Sequence, residues 1–320
     1  MAVSTSTQYH RSLCLFEWVV LAYCVFTLLL MAVFWGRLVT PEPMLLGRGG
    51  VVVTTLVLWR IYRWKPCRLT MILRVVAQLA FLGWWYPDTY EFNRLLPNLD
   101  HLFASLEQTC FGCQPALLFS QQFTSPVISE LLCLGYFSYF PMIAVVTFYY
   151  FLCRYERLAY AAFVILGSFF LFYIVFIFLP VAGPQFYYAA VGSDQIAQGV
   201  FPDLSHYFLN HQEALPIPGA DGGLFHALVQ QAHNAGERPT AAFPSSHVGV
   251  SVVLLWLAWE ARSRWLYFSL LVLTLLMFFA TFYIQAHYAI DAVAGLFVGT
   301  LFYFLMRWVY LKSNPRRRPS

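Results

Sequence analysis

The chain has 320 residues, of which 60% are hydrophobic, 19% aromatic and only 11% charged, with a formal net charge of +4. A soluble domain carries roughly 25% charged residues, so this composition excludes one and indicates an integral membrane protein. The small positive balance follows from where the cations sit between apolar runs and gives no sign of nucleic-acid binding.

About 20 residues cross the hydrocarbon core of a bilayer. Eight apolar runs of that order lie near residues 13–35, 44–62, 69–87, 127–152, 158–180, 244–261, 265–284 and 288–311. The expected fold class is an all-α polytopic bundle: two appended spans in 1–66, a six-span core in 67–312 and a basic tail at 313–320. The first run ends in Phe34-Trp35-Gly36-Arg37 with no small-residue cleavage site, and is expected to stay as a span. The third is interrupted by Arg74 and Gln78.

Cations cluster in alternate connections: Arg60, Arg63, Lys65 and Arg68, then Arg154 and Arg157, then Arg262 and Arg264. Lys312, Arg316, Arg317 and Arg318 end the chain. Short cytoplasmic segments are the ones enriched in Lys and Arg, so both termini are expected in the cytoplasm. The long loops 88–126 and 181–243 then share the opposite face, and both lean acidic.

In the first long loop, Leu99, Leu102, Phe103, Leu106 and Cys110 follow a helical stripe, with Asp100, Glu107 and Gln108 off it. Such a segment is expected to lie along the membrane surface. Cys110 and Cys113 in the same loop would pair in an oxidising compartment and stay free thiols in a reducing one. The second loop opens with Pro180-Val181-Ala182-Gly183-Pro184-Gln185 and contains a helical stretch near 222–235. Its aromatic content argues for an ordered cap over the bundle. Tyr136, Phe137, Tyr139, Phe140, Tyr187 and Tyr188 fit an acyl-chain groove and an interfacial aromatic belt equally well.

Two strings carry chemistry. Pro244-Ser245-Ser246-His247 opens the sixth apolar run, where first-turn N–H groups and the Ser245 and Ser246 hydroxyls can cradle a phosphate and His247 can move a proton. His287 and Asp291 are four residues apart at the start of the eighth, a spacing that on a helix puts the carboxylate on the imidazole, fixing its tautomer as for an activated nucleophile. Ionisable groups in an apolar chain mark a functional site by default. Arg238 is the outer-loop cation nearest in sequence to the cradle, and Gln185 a neutral hydrogen-bond donor; both are candidate phosphate ligands. His101, His206, His211, His226 and His233 lack ligand spacing and read as ordinary loop histidines.

With both strings in view, the chain resembles the type 2 phosphatidic acid phosphatase superfamily. Pro244-Ser245-Ser246-His247 is similar to the family's Pro-Ser-Gly-His, and His287 with Asp291 to its His-x-x-x-Asp. Ala280 and Thr281 stand where that third motif has Ser and Arg, and Pro180–Gln185 supplies neither Lys nor Arg of the first. Phe243-Pro244-Ser245-Ser246-His247-Val248, with Tyr283, His287, Tyr288 and Asp291, resembles the sphingolipid-synthase branch, inositol phosphorylceramide synthases among it, as does Phe111-Gly112-Cys113-Gln114-Pro115.

The resemblance implies double displacement. His287 attacks the phosphorus of a phospholipid donor while Asp291 holds its ring, and His247 protonates the departing alkoxide. A ceramide-type lipid alcohol, deprotonated by His247, then takes the head group from the phosphohistidine. No metal and no cofactor is implied. A lipid phosphate phosphatase acting on phosphatidic acid or a polyprenyl diphosphate is the alternative, and a non-catalytic scaffold or transporter a third reading.

Overall fold

The computed structural model describes residues 12–219, 223–234 and 237–313; Arg316, Arg317 and Arg318 of the basic tail lie outside them. Every regular element among the described residues is helical. Helix α1 (Leu15–Phe34) and α2 (Pro41–Trp64) come first, and α3 (Arg68–Ala80) and α4 (Leu82–Asn93) together form the third apolar crossing. The first long loop therefore starts at residue 94 rather than 88, and it holds α5 (Asp100–Phe111) and α6 (Pro115–Gln122). The fourth crossing is a pair, α7 (Pro126–Phe137) and α8 (Tyr139–Cys153), bent by 48°. Helix α9 (Leu158–Phe178) is the fifth.

The second long loop contains α10 (Pro184–Val191), α11 (Ser193–Ala197) and α12 (Leu224–Asn234); the bundle closes with α13 (Ser246–Glu260), α14 (Arg264–Tyr283) and α15 (Ala289–Ser313). Pro41, Pro115, Pro126 and Pro184 each stand in a first helical turn, where the missing N–H forfeits no hydrogen bond. Among the described residues, six helical segments are long and apolar enough to cross a membrane, and the bent pair makes seven. Helix α13, at 15 residues, is apolar but shorter than these segments, and it packs among α9, α14 and α15.

Helix α9 is apolar all round, the pattern of a fully enclosed helix, and most of its side chains are buried. Helices α1, α4, α8, α13 and α15 pack around it. The polar residues that interrupt the first three crossings are held in pairs, with Arg74 Nη1 and Gln78 Oε1 left without a hydrogen bond. Arg74 bonds Glu17, Gln78 Nε2 donates to Thr55 Oγ1 at 3.0 Å, and Arg48 forks onto Asp88 at 2.9 and 2.6 Å. Hydrocarbon solvates none of these groups, so each side chain must find a partner inside the protein. Tyr23 of α1 stacks on Phe170 of α9 with ring centroids 4.3 Å apart.

Helix α5 shows the same logic at the surface. Asp100 and Glu107 are fully buried against the protein, while Leu102 and Leu106 are about half exposed. Leu102 and Leu106 therefore face outward, where a bilayer would lie, while Leu99 and Phe103 of the same stripe pack partly against the protein and the acidic face packs inward. Cys110 and Cys113 are free thiols.

Candidate active site

Four elements converge on two imidazoles. His247 sits in the first turn of α13, and His287 in the turn between α14 and α15, where the His287 N–H donates to the Thr281 carbonyl at 3.1 Å. Nδ1 of His247 lies 3.3 Å from Nε2 of His287. Tyr136 of α7 stacks on the His247 ring at 4.5 Å and Tyr139 of α8 tilts against it at 4.4 Å. His287 is 3% exposed, and burial pulls its imidazole down to about 4, against the opposing pull of the Ala242 carbonyl and the Glu237 charge.

The group that holds His287 is a backbone one. Its Nδ1 is 2.7 Å from the Ala242 carbonyl oxygen. A carbonyl only accepts, so Nδ1 carries the proton and Nε2, facing His247, keeps its lone pair. Asp291 lies 3.8 Å from Nδ1, at ion-pair range but outside hydrogen-bond distance. Its Oδ2 accepts from the Tyr288 N–H at 2.8 Å. The i, i+4 expectation misses because His287 precedes the helix, whereas Asp291 is its third residue and caps the first turn.

The cradle is also altered. Ser245 Oγ accepts from the Val248 N–H at 3.4 Å as the cap of α13 and is fully buried, so that hydroxyl serves the helix. Ser246 is buried in the first turn of α13, next to His247. Gln185 donates from Nε2 to Glu237 Oε2 at 2.8 Å. Arg238 does not join the imidazoles: it is exposed, and its guanidinium donates to Gln212 Oε1 at 2.6 Å. Among the described residues, neither histidine has an arginine or lysine partner.

Glu237 is the residue that sequence reasoning passed over. Burial acts to raise its carboxyl, but hydrogen bonds from His233 and Gln185 outweigh that and hold it below the usual range. His233 Nδ1 is 3.0 Å away, so His233 is more than a loop histidine. The Tyr136 hydroxyl, on the ring that covers His247, reaches Glu237 Oε1 at 3.4 Å. The charge of Glu237 acts on both imidazoles.

Behind the site, Asp100 of α5 ties three segments together. It accepts from the N–H groups of Ala182 and Gly183 at 2.6 and 2.9 Å and from the Tyr288 hydroxyl at 2.9 Å. Burial raises its carboxyl despite these bonds. Gly183 has φ +95°, and a Cβ there would meet the Ala286 carbonyl oxygen at 2.6 Å, so only glycine fits this turn. Glu107 Oε2 accepts from the Ile290 N–H at 3.1 Å, and burial pushes its carboxyl up to about 8. Gln114 joins α5 to Tyr188, donating to the Ala104 carbonyl and accepting from the Tyr188 hydroxyl, each at 2.9 Å.

Helices α13 and α15 bring their backbones into contact. A Cβ on Gly295 would meet the Ser245 carbonyl oxygen at 2.6 Å, and one on Gly299 the Gly249 carbonyl oxygen at 2.3 Å. The Gly-x-x-x-Gly spacing of 295 and 299 in an apolar helix is a sequence signal for this close approach.

A helical membrane bundle in which two histidines face each other at 3.3 Å, near the starts of two packed helices, presents a candidate catalytic pair. The PAP2 superfamily model matches residues 102–305, and the chain belongs to that superfamily, whose enzymes are phosphatases and phosphotransferases. No match to the chain was found among curated proteins or among solved structures.

Proposed function

We propose that the chain is a lipid head-group phosphotransferase of the inositol phosphorylceramide synthase type, with a phospholipid donor and a ceramide-type acceptor. One observation carries the reading. Among the described residues, the charged side chains nearest the imidazoles are the acids Glu237 and Asp291, and neither imidazole has an arginine or lysine partner. A phosphomonoester dianion suffers twice the repulsion of a diester monoanion there, so the site favours the diester.

In this reading His287 Nε2 attacks the donor phosphorus, the P–O bond to the diacylglycerol breaks, and His247 gives that oxygen its proton. His247 then accepts the proton of the acceptor hydroxyl as that oxygen attacks the phosphohistidine and the P–N bond breaks. The His247–His287 contact of 3.3 Å opens to admit the phosphoryl group between the rings. Asp291 acts as a positioning residue through the α15 cap, with Ser246 and Gln185 lining the approach. The site faces the non-cytoplasmic side, by the distribution of Lys and Arg.

The test supplies purified protein in nanodiscs with a head-group-labelled glycerophospholipid, with and without ceramide. Transfer that depends on ceramide supports the proposal. Release of inorganic phosphate from phosphatidic acid, with no ceramide dependence, makes the protein a lipid phosphatase and overturns it. Glu237→Gln is expected to raise monoester turnover relative to diester turnover about tenfold.

A further inference from the structure

We propose that the end of the bundle opposite the imidazoles holds a second lipid site, which binds one anionic phospholipid from the cytoplasmic leaflet. Helix α13 starts at the imidazoles and ends at Glu260, so the two ends are about 20 Å apart along its axis. At the far end is a cavity of about 710 Å³, lined by Arg157, Arg262, Arg264 and Arg307 against the single acid Glu260. Arg307 Nε donates to Glu260 Oε1 at 2.7 Å, which neutralises that pair. Arg157, Arg262 and Arg264 have no ion pair among the described residues.

A polar end alone would suit a soluble anion. This one continues into a groove of about 360 Å³ with walls of Val252, Leu255 and Leu296, the two spaces sharing Trp256, Trp259 and Tyr267. Trp259 and Phe268 at the rim are largely exposed, on the surface a bilayer would cover. Positive charge leading into an apolar groove between membrane helices matches a phosphate head group with an acyl chain attached. The turn is built to present its arginines: Arg262 holds φ +55°, and Arg154 donates to the Ala261 carbonyl at 3.1 Å. The general enrichment of arginine in cytoplasmic connections places charges at this end; it does not gather three around a cavity that opens into a groove.

Native mass spectrometry of the full chain, extracted in detergent and mixed with phosphatidylglycerol or phosphatidylcholine, tests this. The expected result is one retained phosphatidylglycerol per chain, with no comparable phosphatidylcholine adduct. Arg262→Gln with Arg264→Gln is expected to reduce retention roughly thirtyfold, at about fivefold per cation. The control pair Arg60→Gln with Arg63→Gln, at the basic end of α2, leaves retention unchanged, and so does His247→Ala at the opposite end. Equal retention of the two lipids, equal loss in the control pair, or displacement of phosphatidylglycerol by millimolar glycerol phosphate would each overturn the proposal. The melting temperature of each variant shows that it is folded when retention is read.

Discussion

His287 is set up by exclusion of water more than by charge. Burial holds its imidazole at about 4, below the ordinary 6.5. A depressed value means that the neutral, nucleophilic form persists until the pH falls to about 4, where protonation removes the lone pair. The acid limb of kcat/KM is therefore expected near pH 4, and a limb between 6 and 7 in a pH–rate profile would contradict the proposed role of His287 as nucleophile. His247 and His287 were legible in the sequence because each lies in a short local motif. Their support was not. Ala242 acts through its backbone carbonyl, which no residue type announces, and Glu237 acts across a contact with Gln185, 52 positions away.

The elements followed from apolar runs and helix starters, but not the sides they present. In α5 the stripe was correctly periodic, and yet Asp100 and Glu107 point inward, since periodicity gives a face and only the solvent decides which face is buried. Helix α13 begins late because Ser245 is used as its cap. The α13–α15 contact was readable in Gly295 and Gly299, although apolar length alone does not show it. Gly295→Val is expected to cost about 1–3 kcal/mol by overpacking and to lower turnover more than stability suggests, because it pushes on the Ser245 carbonyl next to His247. Melting in detergent, measured beside activity, separates the two effects.

Across the whole molecule, buried ion pairs bind the first helices to the rest. Arg48 of α2 and Asp88 of α4 are both buried, as are Glu17 of α1 and Arg74 of α3. Asp88→Ala strands the Arg48 charge and is expected to destabilise by about 3–5 kcal/mol, whereas Arg48→Met with Asp88→Leu recovers most of it; thermal unfolding of the three proteins decides. The sequence shows these residues as interruptions of apolar runs, and pairing them needs the three-dimensional neighbours. The glycine contact between α13 and α15 has a consequence at this scale. At Gly299 the nearest atoms are all backbone of Gly249, so no side chain can re-pack there and the two helices form a single stiff keel at that point. On the proposed function, a substrate reaching His247 would displace the Tyr136 ring that covers it rather than part α13 from α15.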